Sequence, residues 1–300
     1  MSAISIQNIH KTFAKGSVVA LDNIQLEIAE GEVFGLIGPD GAGKSTLFRI
    51  LTTLMLADSG SATVDGLDVV KDFKEVRKRI GYMPGKFSLY QDLTVEENLE
   101  FFATLFSTTI QANYKLIKDI YVQLEPFKTR RAGKLSGGMK QKLALCCALI
   151  HKPRVLFLDE PTTGVDPVSR KEFWEMLRRL KAQGITILVS TPYMDEADLC
   201  DRIALIQHGK LLSIDTPGGI TAKFPETLFA VRSSNMYTLL HDIRDYTQTH
   251  SCYGFGDSFH VTLKDGNAAE LKMHLEQREQ KNIDIQQIEA GIEDCFMALM

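Results

Sequence analysis

A glycine-rich loop at residues 38–46 constrains the fold of this 300-residue chain more than any other feature. Its sequence is GPDGAGKST, which fits the pattern G-x-x-x-x-G-K-[ST] of a phosphate-binding loop. The apolar run Val33–Ile37 precedes the loop, and a helical pattern follows it over residues 44–55. The sequence therefore predicts a strand, a loop and a helix in succession, which is the setting that a phosphate-binding loop requires.

Each residue type in this loop has a physical role. Gly38, Gly41 and Gly43 allow backbone dihedral angles that other residues disfavour, so that successive N–H groups can face a bound phosphate. These groups lie at the positive end of the following helix, where the helix dipole favours an anion. We expect Lys44 to reach the β- and γ-phosphates of a nucleotide as a point charge. The candidate nucleotide-binding residues of the loop are Gly38, Pro39, Asp40, Gly41, Ala42, Gly43, Lys44, Ser45 and Thr46.

A second segment supplies two carboxylates. The apolar run at residues 155–158 ends in Asp159 and Glu160. We expect the hydroxyl of Ser45 and the carboxylate of Asp159 to hold Mg²⁺, the carboxylate acting through the hydration shell of the ion. Glu160 would then stand beside the γ-phosphate and serve as the general base that orients the attacking water. Glu160 and Lys44 are therefore the first catalytic candidates.

A third motif lies between these two segments. Residues 135–139 read LSGGM, in which Ser136 fits a helix N-cap and two glycines expose N–H groups at the start of a helical pattern. The sequences FLDEP at 157–161 and TGVDP at 163–167 follow it. In this order the motifs resemble the nucleotide-binding subunits of ATP-binding-cassette (ABC) transporters, and the resemblance covers about residues 4–220. The ending IEDCF at 292–296 resembles the close of bacterial drug- and antibiotic-export ATPases.

The resemblance implies roles for further residues. In that family the signature serine and glycines bind the γ-phosphate of ATP held by the opposite subunit, so Ser136, Gly137 and Gly138 would complete the site of a second ABC ATPase subunit. Phe13 stands where the family stacks an aromatic ring on adenine; a core or hairpin aromatic is the alternative. Asp166 matches the aspartate that helps to align the opposite site, and it also fits the N-cap of the helix that follows it.

Two departures from the family pattern bear on activity, and a third is milder. Gly85 replaces the glutamine that contacts Mg²⁺ and the attacking water, and Pro192 replaces the histidine that hydrogen-bonds the γ-phosphate. Loss of one preorganised donor to developing negative charge typically lowers turnover by roughly 100- to 1000-fold. We therefore expect a site that binds MgATP well and hydrolyses it slowly unless a partner compensates. Asp40, in place of the commoner asparagine, resembles a subset of bacterial export ATPases.

Charge and apolar runs limit the partners. The formal net charge of −4 argues against a broad nucleic-acid footprint, so we expect no nucleic-acid partner. The apolar runs at 143–150 and 185–189 are too short to cross a bilayer, and no signal-peptide pattern opens the sequence. We expect a separate integral membrane permease subunit, with this chain in the cytoplasm as a peripheral protein on the inner face of the plasma membrane. By the resemblance, residues 86–90 would contact a coupling helix of that permease; an exposed loop is the alternative.

Hydrophobic periodicity predicts the fold class. Continuous apolar runs at 155–158, 185–189 and 203–206 are typical of parallel strands covered by helices on both faces. Together with the motifs they predict an α/β P-loop NTPase of the ABC cassette type over residues 1–224, with a mostly parallel sheet, an amino-terminal β-subdomain and a helical insertion at about 86–150. Residues 225–300 show the order β-α-β-β-α-β, which predicts a small ferredoxin-like α+β module with a regulatory, dimer-supporting or merely stabilising role.

Three functions are compatible with the sequence. The first is the ATP-binding and ATP-hydrolysing subunit of an ABC exporter. The second is a non-transport ABC ATPase acting on DNA or ribosomes, which is disfavoured because the short separation of Lys44 and Asp159 leaves no room for a long coiled coil. The third is a catalytically silent, ATP-sensing regulatory subunit, which Gly85 and Pro192 favour.

Overall fold

The computed structural model describes residues 2–264 and 266–300. The chain divides into two compact units, Met1–Pro217 and Gly218–Met300. Each unit has its own β-structure and its own hydrophobic core. Within the described part of the chain, no helix combines the length and apolar character needed to span a membrane.

The first unit alternates strands and helices along the chain. In order, its elements are β1 (Ser2–Phe13), β2 (Val18–Ala29), β3 (Val33–Ile37), α1 (Lys44–Leu51), β4 (Ser59–Val64), β5 (Leu67–Asp68), α2 (Phe73–Arg79), β6 (Ile80–Met83), α3 (Val95–Leu105), α4 (Ile110–Tyr121), α5 (Gly137–Leu149), β7 (Val155–Asp159), α6 (Pro167–Ala182), β8 (Thr186–Thr191), β9 (Arg202–Gln207) and β10 (Lys210–Asp215). A short helix, α7 (Pro217–Thr221), spans the division between the units.

The central sheet of this unit has the strand order β10-β9-β3-β8-β7-β6. All neighbours pair in parallel except β10, which is antiparallel to β9. Strands β3, β7 and β8 are buried along their whole length, because helices cover both faces of the sheet. The predicted mostly parallel α/β core is confirmed. In consequence, the carboxyl ends of β3, β8, β7 and β6 lie side by side along one edge.

An antiparallel sheet of order β2-β1-β4-β5 forms the amino-terminal part of the unit. Its strands bury alternate residues, such as Ile4 and Ile6 of β1, as expected of a sheet with one solvated face. Leu47 and Phe48 of α1 belong to the same core as these isoleucines and as Phe157 of β7. Helix α1 is therefore held by packing against both sheets.

Helices α3, α4 and α5 form the predicted insertion. Thr94 and Glu97 make a capping box at the start of α3: Glu97 N donates to Thr94 Oγ1 (3.2 Å) and Thr94 N donates to Glu97 Oε2 (2.7 Å). The three helices pack together around fully buried side chains that include Leu99, Ile117 and Leu143. Local capping therefore starts the insertion, and apolar packing holds it together.

The second unit has a different architecture. Its elements after α7 are β11 (Leu228–Arg232), α8 (Met236–Asp245), β12 (Thr249–Phe255), β13 (Ser258–Leu263), α9 (Ala268–Gln277), β14 (Asp284–Ile288) and α10 (Ile292–Leu299). The sheet has the order β12-β13-β11-β14, and every pair is antiparallel. Side chains of α8 and α9 share one core with β11, β12 and β13. The β-α-β-β-α-β order and this sheet confirm the predicted ferredoxin-like module.

Candidate functional site

The glycine-rich loop at 38–46 closes around the side chain of Lys44. Lys44 is 3% exposed, and its Nζ donates hydrogen bonds to Gly38 O (2.7 Å) and Pro39 O (2.9 Å). Gly43 is the N-cap of α1 with φ of 109°, a conformation that disfavours any side chain. A Cβ at position 38 would lie only 2.2 Å from Ile206 O, so this position also requires glycine. The loop is therefore preorganised around an ammonium group at a helix N-terminus.

Glu160, the candidate general base, lies against this ammonium group. Its Oε1 is 3.1 Å from Lys44 Nζ. Its φ of 50° lies in the left-handed region, which is strained for a residue with a side chain. The backbone N–H of Glu160 donates to both the carbonyl oxygen (3.1 Å) and the hydroxyl (3.0 Å) of Ser190, and these bonds hold the unusual conformation. The structure thus brings the predicted base and the predicted phosphate-binding lysine together.

Asp159 and Ser45 form the candidate metal site. Asp159 is 5% exposed and accepts a hydrogen bond from Ser190 Oγ at 2.7 Å. Burial, reinforced by the charge of Asp159, raises the pKa of Tyr82 to about 12. Among residues 2–264 and 266–300, no group of three or more His, Cys, Asp or Glu side chains is placed to hold a metal. One hydroxyl and one carboxylate fit Mg²⁺, which usually keeps its waters and takes phosphate oxygens as further ligands.

The two departures that bear on activity, Gly85 and Pro192, lie at this site. Because β6 pairs in parallel with β7, Gly85 follows a strand whose neighbour ends in Asp159. A Cβ at position 85 would lie 3.0 Å from Asp159 O and 3.7 Å from Glu160 Cβ. Pro192 directly follows Thr191, whose carbonyl oxygen accepts a hydrogen bond from Gly38 N at 3.2 Å. The positions that lack the glutamine and histidine side chains therefore lie beside the candidate base and beside the loop.

The signature segment, residues 136–138, has different neighbours. A Cβ at Gly138 would lie 2.8 Å from Ser169 Oγ, and Ser169 N donates to Asp166 Oδ1 at 3.0 Å. That hydrogen bond lowers the pKa of Asp166 and makes it the N-cap of α6. Across the described residues, no hydrogen bond or ion pair joins the signature segment to residues 38–46. The structure places the signature segment beside Asp166 on an exposed surface, and the hydrogen bonds of the loop are made with other residues.

Phe13 is accessible at the end of β1. Its side chain is 39% exposed, and Lys11 Nζ lies 5.7 Å from the centroid of its ring. A ring in this position is a surface aromatic rather than a member of the core, and it can offer a face to a planar base.

Ser190 is the residue that sequence reasoning missed. It contacts both carboxylate residues, as donor to Asp159 and as acceptor from the Glu160 N–H. The available signal was its place in the sequence ILVST, where a hydroxyl interrupts a buried apolar strand immediately before the strand ends. Such a buried hydroxyl needs a partner, and the neighbouring strand β7 supplies one.

Fold and site together define a P-loop nucleotide-binding protein. The family described as "ABC transporter" matches residues 21–163. Over 234 residues the chain is 45% identical to the "probable multidrug ABC transporter ATP-binding protein YbhF" of Escherichia coli (strain K12). This match covers 77% of this chain and 40% of that protein. The chain is also 35% identical to the "Nod factor export ATP-binding protein I" of Rhizobium sp. (strain N33), over 99% of this chain and 96% of that protein.

A solved structure gives the same family by shape. The dimeric structure of the ATP-binding cassette MJ0796, in a post-hydrolysis state bound to ADP and Pi, has a TM-score of 0.64 and 26% sequence identity. The match covers 71% of this chain and 98% of that one. The chain therefore belongs to the ATP-binding proteins of ABC transporters.

Proposed function

We propose that this chain is the ATP-binding and ATP-hydrolysing subunit of an ABC exporter, and that its closure on ATP drives transport by a separate membrane subunit. The name of the Nod factor export ATP-binding protein I supports the export class, and the name of YbhF supports a multidrug ABC transporter. The proposal places the chain in the cytoplasm, on the inner face of the plasma membrane. It keeps residues 1–224 as the ATP-binding domain and 225–300 as an accessory module.

One observation carries the proposal: the Lys44 ammonium group lies 3.1 Å from the Glu160 carboxylate at the mouth of a loop whose backbone it already bonds. A lysine, a strained glutamate and helix N–H groups converge where a triphosphate chain would lie. We assign phosphate binding to the loop and Lys44, adenine stacking to Phe13, and activation of water to Glu160. Ser45 and Asp159 would hold Mg²⁺, which would supply charge neutralisation at the phosphates.

The proposed site is weakened for hydrolysis. Gly85 contributes no side chain beside Asp159 and Glu160, and Pro192 offers neither an imidazole nor a backbone N–H. Binding depends mainly on the loop backbone, Lys44 and Ser45, which are all present. The proposal is therefore tight MgATP binding with slow turnover.

We propose that a second ABC ATPase subunit, identical or different, docks on the surface that carries the signature segment and Asp166. Ser136, Gly137 and Asp166 are exposed, and the neighbouring Val168 is an aliphatic side chain that is 70% exposed. An exposed helix N-terminus with free glycine N–H groups suits the phosphates of a nucleotide held by that partner. The dimeric state of the cassette MJ0796 supports this assignment.

The permease subunit would dock at an apolar groove beside Gly85. The groove has a volume of about 370 Å³ and is lined by side chains that include Leu54, Met83, Leu89 and Phe102. Leu54 is 58% exposed, and Tyr90, at the end of the candidate segment 86–90, is 51% exposed. A short amphipathic helix of the partner could bury these side chains, which is a common form of recognition.

The second candidate function is a catalytically silent, ATP-sensing subunit. The observation in its favour is that Gly85 places no side chain beside Asp159. The two candidates share nucleotide binding and differ in turnover, so that hydrolysis separates them.

The deciding experiment is steady-state MgATP hydrolysis by the purified chain together with equilibrium MgATP binding, with Glu160→Gln as the background. Slow turnover that Glu160→Gln abolishes supports the proposed exporter subunit. If the chain binds MgATP but shows no Glu160-dependent turnover, either by itself or with an added permease and second ATPase subunit, the silent subunit is supported. Absence of MgATP binding would refute both.

A further inference from the structure

The face of the carboxy-terminal sheet opposite α8 and α9 contains a cavity that the nucleotide site does not use. Helices α8 and α9 pack on the other face, where Phe229, Val231 and Val261 point into the core. Because side chains alternate along a strand, Leu228, His260 and Thr262 point to the opposite face. There they line a cavity of about 310 Å³, together with Met297 and Ala298 of α10 and other residues.

Part of the cavity wall is apolar and polarisable. Phe224, Leu228, Tyr253 and Met297 line it. Aromatic faces carry negative electrostatic potential, and a methionine sulfur is readily polarised, so both kinds of side chain favour a neighbouring cation. The apolar side of this wall can accept a hydrocarbon group of a ligand.

The remaining wall includes two imidazole and carboxylate pairs. His250 Nδ1 is 2.7 Å from Glu226 Oε1, and His260 Nδ1 is 2.7 Å from Asp294 Oδ1. The His260 and Asp294 side chains are 16% and 6% exposed, so that pair lies inside the fold. Each imidazole uses Nδ1 on its carboxylate, which leaves Nε2 for another partner.

Apart from the two imidazoles, the ionisable side chains that line the cavity are mainly carboxylates. The lining contains the carboxylates of Glu226 and Asp294, and no lysine or arginine side chain of the described residues lines it. Burial acts to raise the pKa of Glu226, but hydrogen bonds from Thr262 and His250 outweigh it and keep that pKa below its usual range. Glu226 is therefore ionised at neutral pH, and the wall offers hydrogen-bond acceptors beside apolar surface.

We propose that this cavity binds a small amphipathic organic cation, with an ammonium group at the Glu226 and Asp294 side and a hydrocarbon group against Leu228 and Met297. Ammonium donors match the acceptor-rich wall, whereas a carboxylate ligand would meet two carboxylates at close range. The ligand would be held entirely by the carboxy-terminal unit, so this site is separate in residues from the nucleotide site.

The test is calorimetric titration of the full chain with three probes of nearly the same shape: 2-phenylethylamine, 2-phenylethanol and phenylacetate. We expect saturable binding of the amine with one site per chain, and at least about tenfold weaker binding of the alcohol and of the acid. Equal affinity for the three probes, or no binding of the amine, would overturn the proposal.

Matched variants locate the site. Glu226→Gln and Asp294→Asn should each weaken the amine by about tenfold, because each removes a charged acceptor. The same changes at exposed positions of this unit, Glu276→Gln and Asp284→Asn, should leave its affinity unchanged.

A variant that fills the cavity guards against misfolding of the charge variants. Ala298→Phe adds a ring to the wall, keeps all four side chains of the two ion pairs, and should abolish binding of the amine. If Ala298→Phe retains wild-type affinity for 2-phenylethylamine, or if the two charge variants do, the amine binds elsewhere and the assignment is wrong.

Discussion

Restoring the missing side chains at positions 85 and 192 is the most direct test of the weakened site. The change is Gly85→Gln combined with Pro192→His, and its control is Gly85→Ala combined with Pro192→His. The two variants share the histidine and the new Cβ at position 85. They differ in the part of the glutamine beyond Cβ, a methylene and the amide, so that the ratio of their turnover rates measures what this polar group contributes.

The structure sets the size of the effect. The new Cβ would lie 3.0 Å from Asp159 O, so that this carbonyl must move by a few tenths of an ångström. Such crowding costs about 1 kcal/mol, the low end for overpacking, because Gly85 is exposed on one side. A preorganised group contributes roughly 100- to 1000-fold in rate, and the displacement that the Cβ causes is common to both variants and cancels in their ratio. We therefore expect the glutamine variant to be about 100- to 1000-fold faster than the alanine control.

The assay is steady-state phosphate release at saturating MgATP, with each variant repeated on a Glu160→Gln background. The unfolding temperature of both variants should fall by a similar amount, about 2–4 °C, since both carry the Cβ. If the glutamine and alanine variants are folded, bind MgATP and turn over at the same rate, the loss at position 85 does not limit hydrolysis and the reasoning fails.

Three further predictions concern the first unit. Lys44→Ala should abolish MgATP binding, measured by equilibrium titration, whereas Lys181→Ala, which breaks only the surface ion pair with an aspartate, should not change it. Glu160→Gln should keep MgATP binding and accumulate a closed dimer in size-exclusion chromatography; a monomer at saturating MgATP would contradict the role given to this residue. Burial lowers the pKa of His151 below its ordinary 6.5. Between 6.5 and the lowered value the unfolded chain therefore binds more protons than the folded chain, and the free energy of unfolding decreases as pH falls through this range. His151→Phe should flatten this loss in denaturant titrations, and the exposed control His241→Phe should retain it.

The local parts of the fold and the site could be predicted from sequence. Gly43 takes a φ of 109°, which disfavours any side chain, and Thr94 with Glu97 starts a helix without help from distant residues. These signals act within a few residues, where chain geometry alone decides the structure. The predicted helix over 44–55 was four residues too long: α1 ends at Leu51, and the following Thr53 has a φ of 64°, which a helix does not allow.

Contacts between distant strands could not be predicted in the same way. The approach of Gly85 to Asp159 depends on the parallel pairing of β6 with β7, and the bond from Ser190 to Asp159 depends on the pairing of β7 with β8. A motif gives the identity of the carboxylate but not the residues that neighbouring strands place against it. The cavity of the second unit is a similar case, because His250 and His260 meet their carboxylates only after the sheet and α10 have formed.

The close approach of position 85 to the Asp159 carbonyl also limits the order in which mutations can be tolerated. Glycine fits there without adjustment, whereas every other residue brings a Cβ to 3.0 Å from a backbone oxygen. A single substitution of Gly85 by glutamine must therefore be accommodated by a strand end that is packed against glycine. In a library of all single substitutions at this position, glycine should give the most stable chain even if glutamine gives the fastest one. Variants that first loosen residues 159 and 160 should widen the set of residues accepted at position 85, so that the return to a fully equipped site is easier by two steps than by one.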